Sequence, residues 1–236
     1  MTNCLLASTS TLHGGRYLDY LFNPLTDLYK ATDEILFIPY ARPGGISHEK
    51  YTQIAQHAFQ NIGKSIVGIH TLKNPITAVQ NAQGIFIGGG NSFVLVAELY
   101  HQHLIQFLGK VVSSGVPYLG TSAGSNIMGP SIKTTNDMPI VYPPSYDTLD
   151  IIPFNINPHY LDPDPNSTHK GETRETRIKE FHEFNSTPVV GLREGSWIRV
   201  RHKEIVLKGG GQSARIFEKE KEAYELPVES SLTFLK

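Results

Sequence analysis

Short apolar runs alternate with helix-like stretches through the first half of the chain, and this alternation limits the possible folds most strongly. Each apolar run predicts a buried strand, at residues 4–7, 34–38, 65–69, 84–87 and 116–119. Between these runs apolar residues recur at helical spacing, for example after Ser47, which has the character of a helix N-cap. Strands and helices in this order predict an α/β fold with a mostly parallel sheet and helices on both faces.

The second half of the chain has a different character. Residues 130–171 are rich in Pro, Asn and Asp and predict long loops around one short strand at 154–157, and such loops usually carry function. We expect a charged helix at 172–184, a strand at 188–192, a C-terminal hairpin formed by 197–200 and 205–207, and a last strand at 215–217. At 236 residues the chain fits one α/β domain, residues 1–236, better than two small ones.

Composition argues against several classes of function. The net charge is −1 and the basic residues are scattered, so we expect no nucleic-acid partner. No apolar stretch approaches the ~18 residues of a membrane span, and residues 1–6 lack the basic start of a signal peptide. Cys4 is the only cysteine, which excludes a disulfide or a Cys–Cys redox pair within one chain. We therefore expect a cytoplasmic protein without a membrane partner.

Gly120-Thr121-Ser122-Ala123-Gly124 is the motif most indicative of chemistry. It follows the apolar run at 116–119 and precedes a helix start, the context in which Gly-x-Ser-x-Gly places a serine on a sharp turn. The amide of Ala123, at a helix N-terminus, can then face a developing oxyanion. We interpret Ser122 as a nucleophile; the alternative is a capping serine in an ordinary turn.

A serine nucleophile needs a base that takes its proton and an acid that orients the base. His159 is favoured among the ten histidines, because it follows a short strand and Pro158 fixes the backbone just before it. The alternative for His159 is a loop histidine bonded to a backbone carbonyl. Both His70 and His169 stay open as bases. We interpret His182 as a solvated helix residue and His202 as a hairpin tip.

Two carboxylates compete to orient the base. Glu194 follows the strand at 188–192, and functional groups in this fold class collect at strand ends. Asp137 lies in a polar loop not far past Ser122. The alternatives are a hairpin residue for Glu194 and a turn former for Asp137.

Gly88-Gly89-Gly90 follows another strand end and can bring the amides of Gly89 and Gly90 to an oxyanion. The alternative is a phosphate-binding turn. Neither the Walker spacing nor Gly-x-Gly-x-x-Gly is present, so we favour the oxyanion interpretation.

Six blocks together resemble a known family. They are Gly88-Gly89-Gly90-Asn91, Gly120-Thr121-Ser122-Ala123-Gly124, Thr134-Thr135-Asn136-Asp137-Met138-Pro139, Asn157-Pro158-His159, His169-Lys170-Gly171-Glu172-Thr173-Arg174 and Gly191-Leu192-Arg193-Glu194-Gly195. In this order they look like the serine-peptidase family that holds peptidase E, the α-aspartyl dipeptidases, and cyanophycinase. The resemblance runs from the first strand through Trp197.

The resemblance implies the flavodoxin-like three-layer fold of the class I glutamine amidotransferases, with Ser122 where those enzymes have a cysteine. It implies Ser122 as nucleophile and His159 as base. The family's Ser-His-Glu triad maps onto Glu194, while Asp137 matches a position also proposed for the charge relay. The implied reaction is hydrolysis of dipeptides with N-terminal Asp, without a metal or other cofactor. We expect small peptides as partners and a monomer or homodimer as the form of the protein.

Arg174 is the candidate for substrate recognition. A peptidase selective for N-terminal aspartate must neutralise an extra carboxylate, and the planar fork of arginine suits that task. Ile178 and Phe181 lie at i+4 and i+7 from Arg174, so its helix face is expected to point toward the core. The alternative is a solvated arginine paired with Glu172 or Glu175; the next candidates are Arg177, Lys170 and Arg42.

Three other functions remain open at this point. The chain could be a non-catalytic amidotransferase-like binding domain or a cyanophycinase-like hydrolase. An α/β-hydrolase esterase is the third, and its chain order would favour His202 or His182 as the base.

Overall fold

The computed structural model describes residues 1–164, 166, 168 and 171–236, and within them the strands form two sheets. The strands are β1 (Asn3–Ala7), β2 (Glu34–Ile38), β3 (Ser65–Gly68), β4 (Ile85–Ile87), β5 (Tyr118–Thr121), β6 (Asn155–Pro158), β7 (Val189–Leu192), β8 (Ser196–Arg201), β9 (Glu204–Gly209), β10 (Ala214–Phe217) and β11 (Tyr224–Leu226). The α-helices are α1 (Phe22–Leu28), α2 (His48–Gln60), α3 (Pro75–Gln80), α4 (Ser92–His101), α5 (Ile105–Ser113), α6 (Ala123–Asn126) and α7 (Arg174–Phe184). Two short 3-10 helices span Asp19–Leu21 and Ile69–Thr71.

The main sheet has the strand order β3-β2-β4-β5-β1-β8-β9 in the described chain. Its first five strands are parallel, and the hairpin β8–β9 joins β1 antiparallel. The parallel strands are buried on both faces: Phe37 and Phe86 pack with residues of α1 and α2, whereas Ile38 and Ile87 pack with residues of α3, α4 and α5. The predicted three-layer α/β fold with a C-terminal hairpin is therefore confirmed.

A second sheet, in the order β11-β10-β7-β6, was not predicted as a separate unit. Apolar residues of β6, β7 and β10 belong to the same buried cluster as α3, α4 and α5. Its other side packs against α7 through Tyr160, Ile178 and Phe217. β11 is three residues long, directly follows a charged segment and lacks a fully buried residue, so its alternation of apolar and polar residues is too short to indicate a strand.

Several element boundaries differ from the sequence prediction. β5 continues to Thr121, so the turn begins at Ser122 and not at Gly120. β3 ends at Gly68, which places His70 in a 3-10 helix and not at a strand end. Pro24 lies in the first turn of α1, where its missing N–H costs no hydrogen bond.

Polar side chains cap the N-termini of α2, α3, α4 and α7. Ser47, Asn74 and Asn91 accept hydrogen bonds from the backbone amides of Lys50, Thr77 and Val94, at 3.2, 3.0 and 3.1 Å. Thr173 caps α7, which therefore begins at Arg174 and not at residue 172. Among the described helices, none combines the length and the apolar character needed to cross a membrane.

Candidate active site

Ser122 occupies a sharp turn between β5 and α6. Its backbone has φ 51° and ψ −110°, a conformation that non-glycine residues rarely adopt. The surrounding backbone holds it there: the Ser122 amide donates to the Ala7 carbonyl at 3.0 Å, and the amides of Ser125 and Asn126 donate to the Ser122 carbonyl. A Cβ on Gly124 would clash with the Ile87 carbonyl, so only glycine fits the second glycine position of the motif.

His159 directly follows β6 and also has a positive φ, 53°. Its Nε2 lies 3.0 Å from Ser122 Oγ, and its Nδ1 lies 2.7 Å from Glu194 Oε1. β6 and β7 are parallel neighbours with Pro158 opposite Leu192, so the residues that follow both strands emerge at one edge. This register explains why His159 and Glu194, 35 residues apart, come into contact.

Ser8 links the three strand ends and was missed by the sequence analysis. It is buried directly after β1, and its hydroxyl accepts from the His159 amide at 2.8 Å and donates to the Leu192 carbonyl at 2.7 Å. Its position directly after the first strand could have indicated a role, because polar residues at the carboxyl ends of parallel strands meet at one edge of the sheet.

Asp137 is not joined to His159. Its Oδ2 accepts from the Ser92 amide at the start of α4, at 2.7 Å, and from the Thr135 hydroxyl at 3.1 Å. The preceding residue, Asn136, donates to the Pro158 carbonyl at 2.8 Å. The loop of Asp137 is therefore tied to the backbone beside His159, while the carboxylate itself satisfies a helix N-terminus.

Three backbone amides, in the glycine turn that packs on Ser122 and directly after Ser122, are free to donate. A Cβ built on Gly89 would lie 3.0 Å from Ser122 Cβ, so this glycine packs directly on the serine. The amides of Gly89 and Gly90 donate no hydrogen bond to the described residues. The amide of Ala123, as the first residue of α6, has no intrahelical acceptor.

Arg174 begins α7, and one of its guanidinium nitrogens, Nη1, is buried without a hydrogen-bond partner among the described residues. Burial lowers the pKa of Arg174, and the nearby Tyr160 and Glu194 act in the opposite direction. The predicted alternative, pairing with Glu172 or Glu175, is not what the structure has: Glu172 pairs with Arg177, and Glu175 with Lys179 and Arg215.

Tyr160 is a second residue that the sequence analysis did not single out. Its hydroxyl is also buried without a hydrogen-bond partner among the described residues. Tyr160 lies close enough to Arg174 to raise the pKa of the arginine. The Tyr160 ring packs under Arg193, whose guanidinium carbon is 5.4 Å from the ring centre. Arg193 in turn pairs with Asp162 at 2.7 Å, which fastens the loop after His159 to the end of β7.

The other histidines considered as bases lie apart from the hydrogen bond between Ser122 and His159. His202 is at the β8–β9 turn, where its amide donates to the Thr2 carbonyl, and His70 is beside Glu49. The interpretation of His182 as solvated is wrong: it is buried, and its Nε2 is 3.0 Å from the Thr187 carbonyl, because the chain turns back over this helix face. His169 and Lys170 lie outside the described residues.

The two other arginines considered for substrate recognition have partners within the described structure. Arg177 is largely exposed beside Glu172, and Arg42 donates to the Gly89 carbonyl at 3.4 Å. Within the described residues, His, Cys, Asp and Glu side chains form no group of three or more that could hold a metal ion.

The Ser122 hydroxyl is hydrogen-bonded to the His159 imidazole, which is hydrogen-bonded to the Glu194 carboxylate. This arrangement can perform acyl transfer. The serine can lose its proton to the ring as it attacks a carbonyl. The free backbone amides near the serine can donate hydrogen bonds to the carbonyl oxygen and so stabilise the negative charge that develops on it.

Comparison with known proteins gives consistent matches. The family model described as "Peptidase family S51" matches residues 4–208 of this chain. A protein of Streptomyces coelicolor named "Peptidase E" is 48% identical over 233 residues, covering 99% of this chain and 94% of its own. A Drosophila melanogaster protein named "Probable alpha-aspartyl dipeptidase" is 45% identical over 236 residues, covering 99% and 97%.

A solved structure shares the fold. The crystal structure of a peptidase from an acI-B1 actinobacterium superposes with a TM-score of 0.73, at 19% identity, covering 99% of this chain and 97% of the other.

Proposed function

The chain belongs to peptidase family S51, and from that premise we propose how its residues carry out hydrolysis of Asp-Xaa dipeptides. The protein is a serine-type dipeptidase. The observation that supports the assignment of roles most directly is the hydrogen-bonded series from Ser122 Oγ through His159 to Glu194 Oε1. In it Ser122 is the nucleophile, His159 the base and Glu194 the group that orients the base.

The reaction proceeds in two halves. Ser122 Oγ attacks the carbonyl carbon of the N-terminal aspartate while its proton moves to His159 Nε2. His159 then gives this proton to the leaving amine, the peptide bond breaks, and an aspartyl ester remains on Ser122. Water, deprotonated by His159, attacks the ester; the proton returns to Ser122 and aspartate leaves.

The negative charge of each tetrahedral intermediate needs preorganised donors. We assign this role to the amides of Gly89, which packs on Ser122, of Gly90, the next residue of the glycine turn, and of Ala123, which follows Ser122 in the chain. The amides of Gly89 and Gly90 donate no hydrogen bond to the described residues, and the Ala123 amide has no intrahelical acceptor. Donors fixed in advance stabilise the developing charge without reorganisation at the moment of reaction.

Between the two carboxylates, we assign the orienting role to Glu194. Its oxygen contacts His159 Nδ1, and this contact fixes which ring nitrogen faces Ser122. Asp137 is assigned to the N-terminus of α4, which begins two residues after Gly90. In this role it holds the start of α4 and the glycine turn before it.

Arg174 is proposed to bind the side-chain carboxylate of the substrate's aspartate. A buried guanidinium nitrogen without a partner is costly unless a ligand satisfies it. Tyr160, with its unpartnered hydroxyl near Arg174, is a second donor available to the same carboxylate. The aspartate side chain supplies the acceptors that both groups lack.

The remaining features follow from the same assignment. We propose one catalytic domain over residues 1–236, because both relatives named above align with 99% of the chain. We further propose small peptides as partners, a monomer or homodimer as the active form, and a cytoplasmic location, with which the single buried cysteine agrees.

The function is tested by offering Asp-Leu, Glu-Leu and Ala-Leu to the purified protein, with and without EDTA. We expect Asp-Leu to be hydrolysed and the other two to be poor substrates, since alanine offers Arg174 no carboxylate and glutamate places its carboxylate one methylene group further from the reacting carbonyl. EDTA is expected to leave the rate unchanged, because none of the proposed steps uses a metal. Equal hydrolysis of all three dipeptides, or loss of activity in EDTA, would contradict the proposal.

Arg174→Met is expected to reduce kcat/KM for Asp-Leu by about 10- to 100-fold, mainly through KM, since a charge-assisted hydrogen bond contributes about 1.5–3 kcal/mol. The preference for Asp-Leu over Asn-Leu should narrow by a similar factor. Arg177→Met is the matched control: it removes an exposed arginine one turn later on the same helix and should leave the ratio unchanged. A wild-type ratio in Arg174→Met would clear Arg174 of this role.

A further inference from the structure

The carbonyl of Gly89, in the glycine turn beside Ser122, is held by two side-chain donors. The buried Tyr51 hydroxyl donates to this oxygen at 3.1 Å, and Arg42 Nε donates to it at 3.4 Å. The two donors also contact each other, because the guanidinium carbon of Arg42 lies 4.8 Å from the centre of the Tyr51 ring. This pair of contacts has no part in the mechanism given above.

Tyr51 itself is held firmly in place. Its ring packs edge-on against Phe37, with centroids 5.0 Å apart, and its hydroxyl accepts from the Tyr17 hydroxyl at 3.4 Å. Burial raises the pKa of Tyr17 well above its ordinary range, which keeps that phenol protonated and able to donate. A Cβ on Gly88 would clash with the Tyr51 hydroxyl, so the first glycine of the turn makes room for this side chain.

A fixed Gly89 carbonyl fixes the amide of the next residue. The described peptide bonds are all trans, and in a trans peptide the C=O and the N–H point in opposite directions. The donors on the Gly89 oxygen therefore determine where the Gly90 N–H points. On its other side Gly90 has φ +146° and packs on the Ala41 carbonyl, which accepts from the Asn91 amide at 2.6 Å. The peptide is thus fixed from both ends.

We infer that Tyr51 and Arg42 are positioning residues for the oxyanion site: by holding the Gly89 carbonyl they aim the Gly90 N–H at the charge that develops when Ser122 attacks. The inference rests on the proposed function and deepens it. Two donors on a peptide carbonyl also polarise the peptide, which strengthens its N–H as a donor. Both effects act on the transition state and leave substrate binding unchanged.

Tyr51→Phe removes only the hydroxyl and keeps the ring. We expect kcat for Asp-Leu to fall about tenfold, less than for direct loss of an oxyanion donor, with KM within about twofold of the wild type. Inhibition by an aspartyl boronic acid, whose tetrahedral adduct resembles the transition state, should weaken by the same factor. Competitive inhibition by L-aspartate should not change.

Tyr29→Phe is the matched control. Tyr29 is also fully buried, and its hydroxyl donates to the Ile85 carbonyl in β4 at 2.7 Å, three residues before the glycine turn. It should lower stability about as much as Tyr51→Phe while leaving kcat and boronate affinity unchanged. Equal kinetic effects in the two variants would show that Tyr51 is merely structural and would overturn the inference.

Arg42→Met is expected to lower kcat less than Tyr51→Phe does, because Arg42 is exposed and its contact is longer. A raised KM with unchanged kcat would instead make Arg42 a substrate contact.

Failure of the inference is distinguishable from failure of the proposed function. Wild-type hydrolysis of Asp-Leu with an unchanged kcat in Tyr51→Phe would overturn the inference alone, whereas absence of wild-type hydrolysis would overturn both.

Discussion

Ser122→Ala is expected to leave a folded protein whose kcat for Asp-Leu is lower by about 10⁴- to 10⁶-fold, the usual cost of removing a nucleophile from a triad. The change should be selective, because the Ser122 side chain makes one described hydrogen bond, to His159, while the turn is held by backbone bonds. The measurement is steady-state hydrolysis of Asp-Leu, accompanied by circular dichroism and urea unfolding.

Folding must be checked because Ser122 has a strained backbone, φ 51°. Alanine keeps a Cβ at this position, so the strain is nearly the same in the variant as in the wild type. We therefore expect urea midpoints that agree closely. An alanine variant with the wild-type rate would remove the serine-peptidase mechanism altogether.

His159→Ala is expected to be as damaging as Ser122→Ala, because a serine hydroxyl is a weak nucleophile without a base and members of a triad act as a unit. His202→Ala is the control: this residue lies at the β8–β9 turn and should affect the rate little. Severe loss in His202→Ala with activity retained in His159→Ala would reverse the assignment.

The orienting carboxylate is tested by two isosteric changes. Glu194→Gln should lower kcat by about 10³-fold or more, because an amide facing Nδ1 favours the wrong tautomer of His159. Asp137→Asn should be mild, since the amide oxygen can still accept from the Ser92 amide. A dead Asp137→Asn together with an active Glu194→Gln would make Asp137 the orienter.

The sequence predicted the central sheet well because its signals are local. Each parallel strand is a short apolar run buried on both faces, and the helices carry their own caps, such as Ser47 before α2. The turn at Ser122 was recognisable for the same reason, since a strand, two small residues and a helix start are adjacent in the chain. Strands, helix caps and turns of this kind are determined by residues close together in the chain, and the sequence therefore shows them.

The second sheet and the burial of individual side chains depend on distant contacts. β11 pairs with β10 through three residues, too few for their alternation to indicate a strand, and β8 pairs with β1 although the two strands lie almost 200 residues apart. His182 carries no local mark of burial, because what covers it is the chain that turns back after α7. Ser8 and Tyr51 likewise gain their roles from partners that only the folded chain supplies.

Arg174 shows both the reach and the limit of sequence reasoning. Its helical spacing to Ile178 correctly indicated a face turned inward, and one guanidinium nitrogen is indeed buried. The sequence could not show that Glu172 and Glu175 pair with other cations, which leaves Arg174 unpaired within the described structure. That outcome depends on Arg215, from the second sheet, which competes for Glu175.

Labelling with a small fluorophosphonate, read by intact mass and peptide mapping, tests the central claim most directly. We predict one label per chain, on Ser122, with hydrolysis of Asp-Leu lost in proportion to labelling. Asp-Leu should protect against the label and Ala-Leu should not, and His159→Ala should label far more slowly. A fully labelled protein that still hydrolyses Asp-Leu, or a label on another residue that abolishes hydrolysis, would contradict a reaction through Ser122.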